Sequence, residues 1–190
     1  MAGYNGSALM KTLVVYFSNS GNNKFLAEKI AAFLKCDSEP IRPWLNKFPF
    51  IMLFSILKMS LGIKTLKHPL QEYDRIILCG PILMGKLISP LRAFINRYNR
   101  NIHTLFFATC CGSGDAKKDG KFGYAQVFLH VKRLLGDRCV HCEAFPIDIV
   151  LPDDQKDLGE AIMKTRLSNN NFTDDLQKRI EGFAKKVLQS

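Results

Sequence analysis

The chain has 190 residues, is 47% hydrophobic and carries a formal net charge of +10. This length and composition predict a globular protein with a core of ordinary size, and they argue against repeat and low-complexity proteins. The longest apolar stretch, residues 48–57, is too short to span a bilayer, and no signal peptide is recognisable. We therefore expect a cytoplasmic protein without a transmembrane segment.

Residues 1–9 show no hydrophobic pattern, and we interpret them as a tail or an expression remnant. Residues 10–190 are expected to form a single domain in which buried strands alternate with helices. The predicted strands are 12–17, 38–41, 75–79, 104–109 and 140–145, and the predicted helices are 23–34, 89–98, 124–135 and 173–188. Such alternation is typical of a parallel sheet with helices on both faces.

The most informative loop joins the first strand to the first helix and consists of Ser18, Asn19, Ser20, Gly21, Asn22 and Asn23. Unpaired backbone N–H groups and the positive end of the helix dipole favour an anion there, and hydroxyl and amide side chains can complete its shell. The spacing matches neither a Walker-type loop nor a dinucleotide fingerprint. The loop therefore predicts a phosphate site, with simple capping of the helix by Ser20 or Asn22 as the alternative.

Two further loops follow predicted strands. The first of them lies in residues 82–95 and is preceded by Tyr73-Asp74-Arg75-Ile76-Ile77-Leu78-Cys79-Gly80-Pro81. The second belongs to the segment from Thr104 to Gly114, which is a strand that runs into a small-residue loop. Together with residues 16–23, these segments resemble the flavodoxin family in order and spacing, across roughly residues 11–188. Asn23 stands where that family usually has Thr or Ser.

The resemblance implies a flavodoxin-like three-layer sandwich, with a five-stranded parallel sheet of order 2-1-3-4-5 and helices on both faces. It also implies flavin mononucleotide (FMN) as the cofactor, with the phosphate in the first loop and the isoalloxazine ring between the other two. Gly21 would allow a tight turn and close approach of the backbone. The implied ring-binding residues are Pro81, Ile82, Leu83, Met84, Gly85, Lys86, Thr109, Cys110, Cys111, Gly112, Ser113 and Gly114.

An aromatic side chain often stacks on the flavin in the second loop of this family. Here the matching residues are Ile82, Leu83 and Met84, so we expect Leu83 or Met84 to make a softer apolar contact. The alternative is that these are ordinary core residues and that the flavin site is degenerate.

Positive charge is concentrated between Pro40 and Gly114, where ten Lys and Arg residues face only Glu72 and Asp74. Such a field attracts acidic proteins, anionic lipid or a phosphorylated cosubstrate such as NAD(P)H. Nucleic acid is a less favoured partner because no recognition motif accompanies the charge.

Residues 42–70 are too long for a simple connection between the second and third strands, and they combine aromatic and aliphatic residues with lysines. We predict a helical insertion of one or two helices. It could pack on the core, cover the flavin or provide a membrane or partner surface. Our hypothesis is that it forms part of the wall of the substrate or partner site.

The six cysteines do not predict a metal site. Cys139 and Cys142 have Cys-x-x-Cys spacing, but this occurs once and lacks the second pair that structural zinc requires. We expect Cys36 and Cys79 to be buried thiols, and small-residue packing best explains Cys110 and Cys111. Reduced thiols are expected in the cytoplasm.

No nucleophile, base and acid constellation is evident around the four histidines or the paired aspartates. Chemistry carried by a cofactor is consistent with that pattern. We therefore predict an FMN-binding redox protein that serves as an electron carrier or as a reductase acting with NAD(P)H or a quinone. The alternative is a binding module with a degenerate flavin site that docks an acidic partner or a membrane surface.

Overall fold

The computed structural model describes residues 10–112 and 114–190, so the predicted tail at residues 1–9 lies outside the described residues. The described residues form seven strands, which in chain order are β1 (Thr12–Tyr16), β2 (Asp37–Pro40), β3 (Arg75–Cys79), β4 (Ile82–Leu83), β5 (Lys86–Leu87), β6 (Thr104–Cys111) and β7 (Cys139–Pro146). Five of them form a parallel sheet of order β2-β1-β3-β6-β7, while β4 and β5 form an antiparallel hairpin. Counted along the chain, the order of the five is 2-1-3-4-5, which confirms the expected flavodoxin-like topology.

Helices cover both faces of this sheet because its central strands are apolar on both sides. The helices are α1 (Asn22–Leu34), α2 (Phe48–Ile56), α3 (Ser89–Tyr98), α4 (Ala125–Leu135), α5 (Gly159–Lys164) and α6 (Asp174–Leu188). One core cluster joins α1 and α6 to the face that carries Val14, Ile77 and Phe106. The other joins α3 and α4 to the opposite face.

The structure extends β6 two residues beyond the predicted end at Thr109. The neighbouring strand β7 causes this extension, because Cys110 pairs with Phe145 and Cys111 pairs with Pro146. The predicted strand 140–145 is correspondingly longer at both ends. As a result, the small-residue loop after β6 begins only at Gly112.

The insertion at residues 42–70 contains one helix, α2, which a short chain of hydrogen bonds holds against α3. The Ser55 hydroxyl donates to the carbonyl of Ile51 (2.6 Å) and accepts from the N–H of Ser89 (2.8 Å). The Ser89 hydroxyl then accepts from the N–H of Leu61 (2.8 Å). Ser55 therefore caps the N-terminus of α3 from another element, and this contact fixes the side on which α2 packs.

Glu39 on β2 binds the C-terminal end of the insertion through hydrogen bonds. Its carboxylate accepts from the N–H groups of Lys67 (2.6 Å) and His68 (3.0 Å), and Nδ1 of His68 lies 2.8 Å away. Burial alone would raise the pKa of Glu39, but the hydrogen bonds from Lys67 and His68 outweigh it and the pKa is lowered.

Among the described helices, none has the length and apolar character needed to traverse a bilayer.

Candidate functional site

The loop between β1 and α1 presents backbone N–H groups at an uncapped helix end. Gly21 precedes the helix with φ +95°, and no side chain among the described residues caps the N-terminus of α1. The first bond along the helix is donated by the N–H of Phe25 to the carbonyl of Gly21 (2.9 Å). The N–H groups of Asn22, Asn23 and Lys24 therefore have no partner within the helix, which is the arrangement that suits an anion.

Asn22 and Asn23, both predicted as phosphate ligands, turn their side chains into the protein. The Asn22 amide donates to the carbonyl of Thr165 (3.2 Å), and its oxygen accepts from the N–H of Leu167 (2.9 Å). The Asn23 amide donates to the carbonyl of Cys110 (3.0 Å) and accepts from the N–H of the same residue (2.8 Å). Both residues can therefore offer a phosphate their backbone N–H groups.

The hydroxyls of this loop remain near the surface. Ser18 is half-buried and accepts through Oγ from the N–H of Gly21 (3.1 Å), which tightens the turn. Asn19 and Ser20 are exposed. A Cβ built on Gly21 would have no heavy atom within 4 Å, so the loop opens outward at this point.

The second predicted loop is a tight hairpin. Pro81 leads into β4, and Met84 and Gly85 connect β4 to β5 with φ values of 49° and 69°, the positive angles that a type I′ turn requires. A Cβ on Gly85 would lie 2.7 Å from the carbonyl oxygen of Lys121, so this position needs glycine. Met84 adopts a conformation unfavourable for its type, and its side chain is 53% exposed at the hairpin tip.

In the third segment, the first three residues predicted to contact the ring are part of the sheet. Thr109, Cys110 and Cys111 belong to β6 and are buried. Burial raises the pKa of the Cys110 thiol well above its ordinary value, so this thiol stays protonated. Of the loop that follows β6, the structure describes Gly112 and Gly114, and the predicted ring contact Ser113 lies outside the described residues. A Cβ on Gly114 would lie 2.1 Å from Oδ2 of Asp148, so a larger residue would displace that carboxylate.

A charged network supports the chain that follows this loop. Asp115 accepts from both terminal nitrogens of Arg179 on α6 (2.8 and 3.2 Å) and from the hydroxyl of Tyr124 (2.6 Å). Arg179 also contacts Glu143 on β7 (3.2 Å). The hydrogen bonds from Arg179 lower the pKa of Asp115. One guanidinium thereby ties the third loop to α6 and β7.

The three loops meet at the carboxyl edge of the sheet. Asn23 links the first loop to the end of β6, and the Cys79 thiol donates to the Asn23 carbonyl (3.4 Å). The N–H of Gly80 donates to the carbonyl of Ala108 (3.1 Å), which holds the start of the second loop beside β6. This convergence occurs between β1 and β3, at the switch point where doubly wound sheets bind their ligands.

An open cleft of about 560 Å³ lies beside the first loop, between Ser18, Gly21 and the residues that follow β2. It contains the cations Lys24, Arg42 and Lys64 together with the indole of Trp44. The sequence indicated the charge of this region but could not place these side chains next to the first loop. The flanks of the insertion contribute to this wall, whereas α2 itself does not line the cleft.

The polar stretch between residues 152 and 171, whose role the sequence left open, contacts the site. Thr165 and Leu167 receive the Asn22 side chain. Ile162 on α5 lies so close to Gly112 that a Cβ there would be 3.2 Å from its Cγ2. This segment therefore forms one border of the first and third loops.

The other candidate groups have local roles. The sulfurs of Cys139 and Cys142 lie 3.6 Å apart as a hydrogen-bonded thiol pair, next to a register shift in β7. Burial raises the pKa of Cys36 to about 11. Within residues 10–112 and 114–190, no three His, Cys, Asp or Glu side chains gather into a possible metal site.

Comparison with solved structures reproduces this architecture. A Bacteroides eggerthii protein classed provisionally as a flavoprotein aligns with a TM-score of 0.60 and 21% identity, covering 80% of this chain and 93% of its own. A Lactobacillus acidophilus flavoprotein in complex with FMN aligns with a TM-score of 0.58 and 17% identity, covering 71% of this chain and 93% of its own. An NAD(P)H:quinone oxidoreductase from Methanothermobacter marburgensis aligns with a TM-score of 0.50 and 11% identity, covering 94% of this chain and 98% of its own. No protein-family profile and no curated protein sequence matches the chain.

Proposed function

We propose that this chain, which has the flavodoxin-like fold, binds FMN at the carboxyl edge of its sheet and transfers electrons. The observation that carries the proposal is the convergence of the uncapped N-terminus of α1 with the hairpin after β3 and the loop after β6. The FMN complex of the Lactobacillus acidophilus flavoprotein, which has the same fold, supports this choice of cofactor.

The phosphate would be held by the backbone N–H groups at the start of α1 and by the hydroxyls of Ser18 and Ser20. Lys24, Arg42 and Lys64 line the adjoining cleft and supply positive charge. A dianionic phosphate gains from both sources, because helix N-termini and nearby cations each favour negative charge. Asn22 and Asn23 would act as positioning residues that hold this loop on the rest of the site.

The ring would lie between the hairpin tip and the loop at Gly112 and Gly114. Leu83 and Met84 offer an apolar contact on one side, and the backbone of the third loop offers hydrogen-bonding groups on the other. Bound FMN would supply the group that accepts and donates electrons. The positive φ of Met84 supports a functional role for this residue, because strained residues are concentrated at ligand-binding loops.

The electron donor or acceptor is proposed to be an acidic redox protein or a small molecule of the NAD(P)H or quinone type. The net charge of +10 favours anionic or acidic partners at close range. The oxidoreductase from Methanothermobacter marburgensis supports the small-molecule option through its shared fold.

FMN titration of two glycine variants tests the phosphate site. Gly21→Ala and Gly136→Ala both place a Cβ at a positive φ, at +95° and +60°, with no heavy atom within 4 Å. Each should lose about 1–3 kcal/mol of stability, because residues other than glycine rarely adopt these backbone conformations. Only Gly21→Ala should weaken FMN binding, by about tenfold or more, because its strain misdirects the N–H groups at the start of α1.

The wild-type protein should retain the visible absorption bands of FMN after desalting. A colourless wild-type protein that also fails to bind added FMN would contradict the proposal and favour a binding module. Equal weakening of FMN binding in both glycine variants would attribute the effect to lost stability and would remove the support for the phosphate loop.

A further inference from the structure

Helix α2 carries an apolar surface that the core does not use. Only Ile51 and Ser55 of this helix are buried, and Phe54 is half-buried. At 100° per residue, the remaining apolar residues cover about 200° of the helix circumference. This surface, called the α2 apolar face below, consists of residues that are 38–56% exposed, with the last of them at the C-cap of the helix: Phe48, Phe50, Met52, Leu53, Ile56 and Leu57.

The protein holds this helix firmly in its outward position. Ser55 is bonded on one side to Ile51 and on the other to the N-terminus of α3. Next to Ser55, at the C-terminal end of α2, the Lys86 ammonium donates to the Ile56 carbonyl (3.3 Å). A surface helix of a soluble domain normally has a polar outer face, whereas the only polar residue of α2 faces inward.

The segment of the chain that contains the α2 apolar face is strongly cationic. Residues 41–70 contain Arg42, Lys47, Lys58, Lys64 and Lys67 and no acidic residue. Trp44 and Met59 flank the helix with 71% and 51% of their side chains exposed. Exposed aromatic and aliphatic residues with a lysine rim are the composition of helices that lie in a membrane interface.

A basic cleft of about 280 Å³ adjoins the C-terminal end of α2. It is lined by Lys58, Lys86, Arg92, His130 and Arg133, and none of its described lining residues is acidic. Arg92 contacts His130 (3.1 Å) and the carbonyl of Leu87 (3.4 Å), while its Nε is buried without a hydrogen-bond partner among the described residues.

None of the described residues that line this cleft supplies a counter-charge for its cations. Burial lowers the pKa of Arg92. Burial and the neighbouring charges of Arg92, Arg133 and Lys58 lower the pKa of His130. Such a cleft gains electrostatic energy when it takes up an anion, because an unpaired charge in a partly buried site is costly.

We propose that α2 and the basic cleft form a docking surface for anionic phospholipid membranes. The α2 apolar face enters the boundary between headgroups and acyl chains, and the cleft holds a lipid phosphate. A fluid lipid interface can surround 200° of a helix that offers no directional polar group, whereas a protein groove would need polar contacts to fix its orientation. The nine residues of α2 allow it to lie in the interface and not to cross the bilayer.

Vesicle binding by the 190-residue chain tests the proposal directly. Co-sedimentation is measured with phosphatidylcholine vesicles that contain or lack phosphatidylglycerol. We expect binding to the anionic vesicles, and we expect added salt to weaken it. Trp44 is the only tryptophan, so a blue shift of its emission on binding would report entry of this region into the interface.

Two matched pairs of variants locate the contact. Phe50 and Phe33 are both 43% exposed, but Phe33 lies on α1. Phe50→Ser should weaken vesicle binding by about tenfold, and Phe33→Ser should leave it unchanged. Arg133 lines the cleft and its neighbour Lys132 does not, so Arg133→Gln should weaken binding about fivefold and Lys132→Gln by less than about twofold.

Several results would overturn this proposal. Failure of the wild-type protein to bind anionic vesicles would do so, as would equal losses in Phe50→Ser and Phe33→Ser. Equal binding to neutral and anionic vesicles would contradict the role of the cleft. A concentration-dependent dimer that Phe50→Ser abolishes, without vesicle binding, would instead identify a second copy of the chain as the occupant. FMN titration is measured separately, so these outcomes are distinguishable from failure of the flavin site.

Discussion

The side chain of Asn23 continues the sheet beyond the end of β3. Its amide exchanges two hydrogen bonds with the backbone of Cys110, at 3.0 and 2.8 Å. The register of β3 with β6 ends at Cys79 and Ala108, so Cys110 lies past the last strand partner on that side. The amide replaces the missing strand, because it offers one donor and one acceptor as a peptide group does.

Asn23→Ala should therefore lower the free energy of unfolding by about 2–4 kcal/mol, because it leaves a buried N–H and a buried carbonyl unpaired. Urea denaturation measures this change. Lys24→Ala alters the next residue, whose exposed ion pair with Glu28 spans 3.7 Å, and should change stability by less than about 0.5 kcal/mol. Similar effects of the two variants would show that the Asn23 bonds do not stabilise the fold.

Met84→Asn should separate strain from function in the hairpin. Asparagine tolerates positive φ better than methionine, so the variant should gain about 0.5–1 kcal/mol of stability. It should also weaken FMN binding about threefold, because an apolar contact with the ring is lost. Lys35→Asn changes an exposed residue with φ 51° at the end of α1 and should bring the same stabilisation with unchanged FMN affinity. Unchanged FMN affinity in Met84→Asn would remove Met84 from the proposed site.

Stability should fall in acid through Glu39. Its folded-state pKa is lowered, so its contribution is present above the unfolded-state pKa of about 4.3 and is lost as pH falls toward the folded value. Glu39→Gln should flatten the dependence of unfolding free energy on pH between about pH 5 and pH 3. The exposed Glu28, changed to Gln, serves as the control. An unaltered pH slope in Glu39→Gln would count against this assignment.

Ser55→Ala should loosen the insertion. The variant removes the oxygen that accepts from the N–H of Ser89, so α3 loses its only cap from outside the helix among the described residues. We expect a loss of about 1–2 kcal/mol in thermal or urea unfolding. Ser60→Ala, which removes one exposed contact with Asn96, should cost much less. Equal stability of Ser55→Ala and the wild-type protein would contradict the capping role.

Most of the fold could be predicted from local sequence signals. The bounds predicted for β3 and α3 match the structure, because an apolar run and a helical period are each carried by neighbouring residues. The end of β6 was predicted too early. Its last residues are paired by β7, and that pairing joins Cys110 to a residue far along the chain.

The candidate site was predictable in position but not in detail. A strand followed by small polar residues and a helix located the first loop. The partners of Asn22 and Asn23 could not be predicted, because they lie 143 and 87 residues away along the chain. The same reason applies to Lys24, Arg42 and Lys64, which three separate segments bring to one cleft.

The sequence by itself determined the alternation of strands and helices, the polar loop at Ser18 to Asn23 and the excess of positive charge, since each is encoded within a short segment. Only the tertiary structure decided which side of α2 packs. Apart from Ser55 that helix is apolar on every side, so its hydrophobic pattern distinguishes no face, and the buried contact of Ser55 with Ser89 selects one. Local patterns specify elements, whereas contacts between distant residues decide which groups remain exposed for binding.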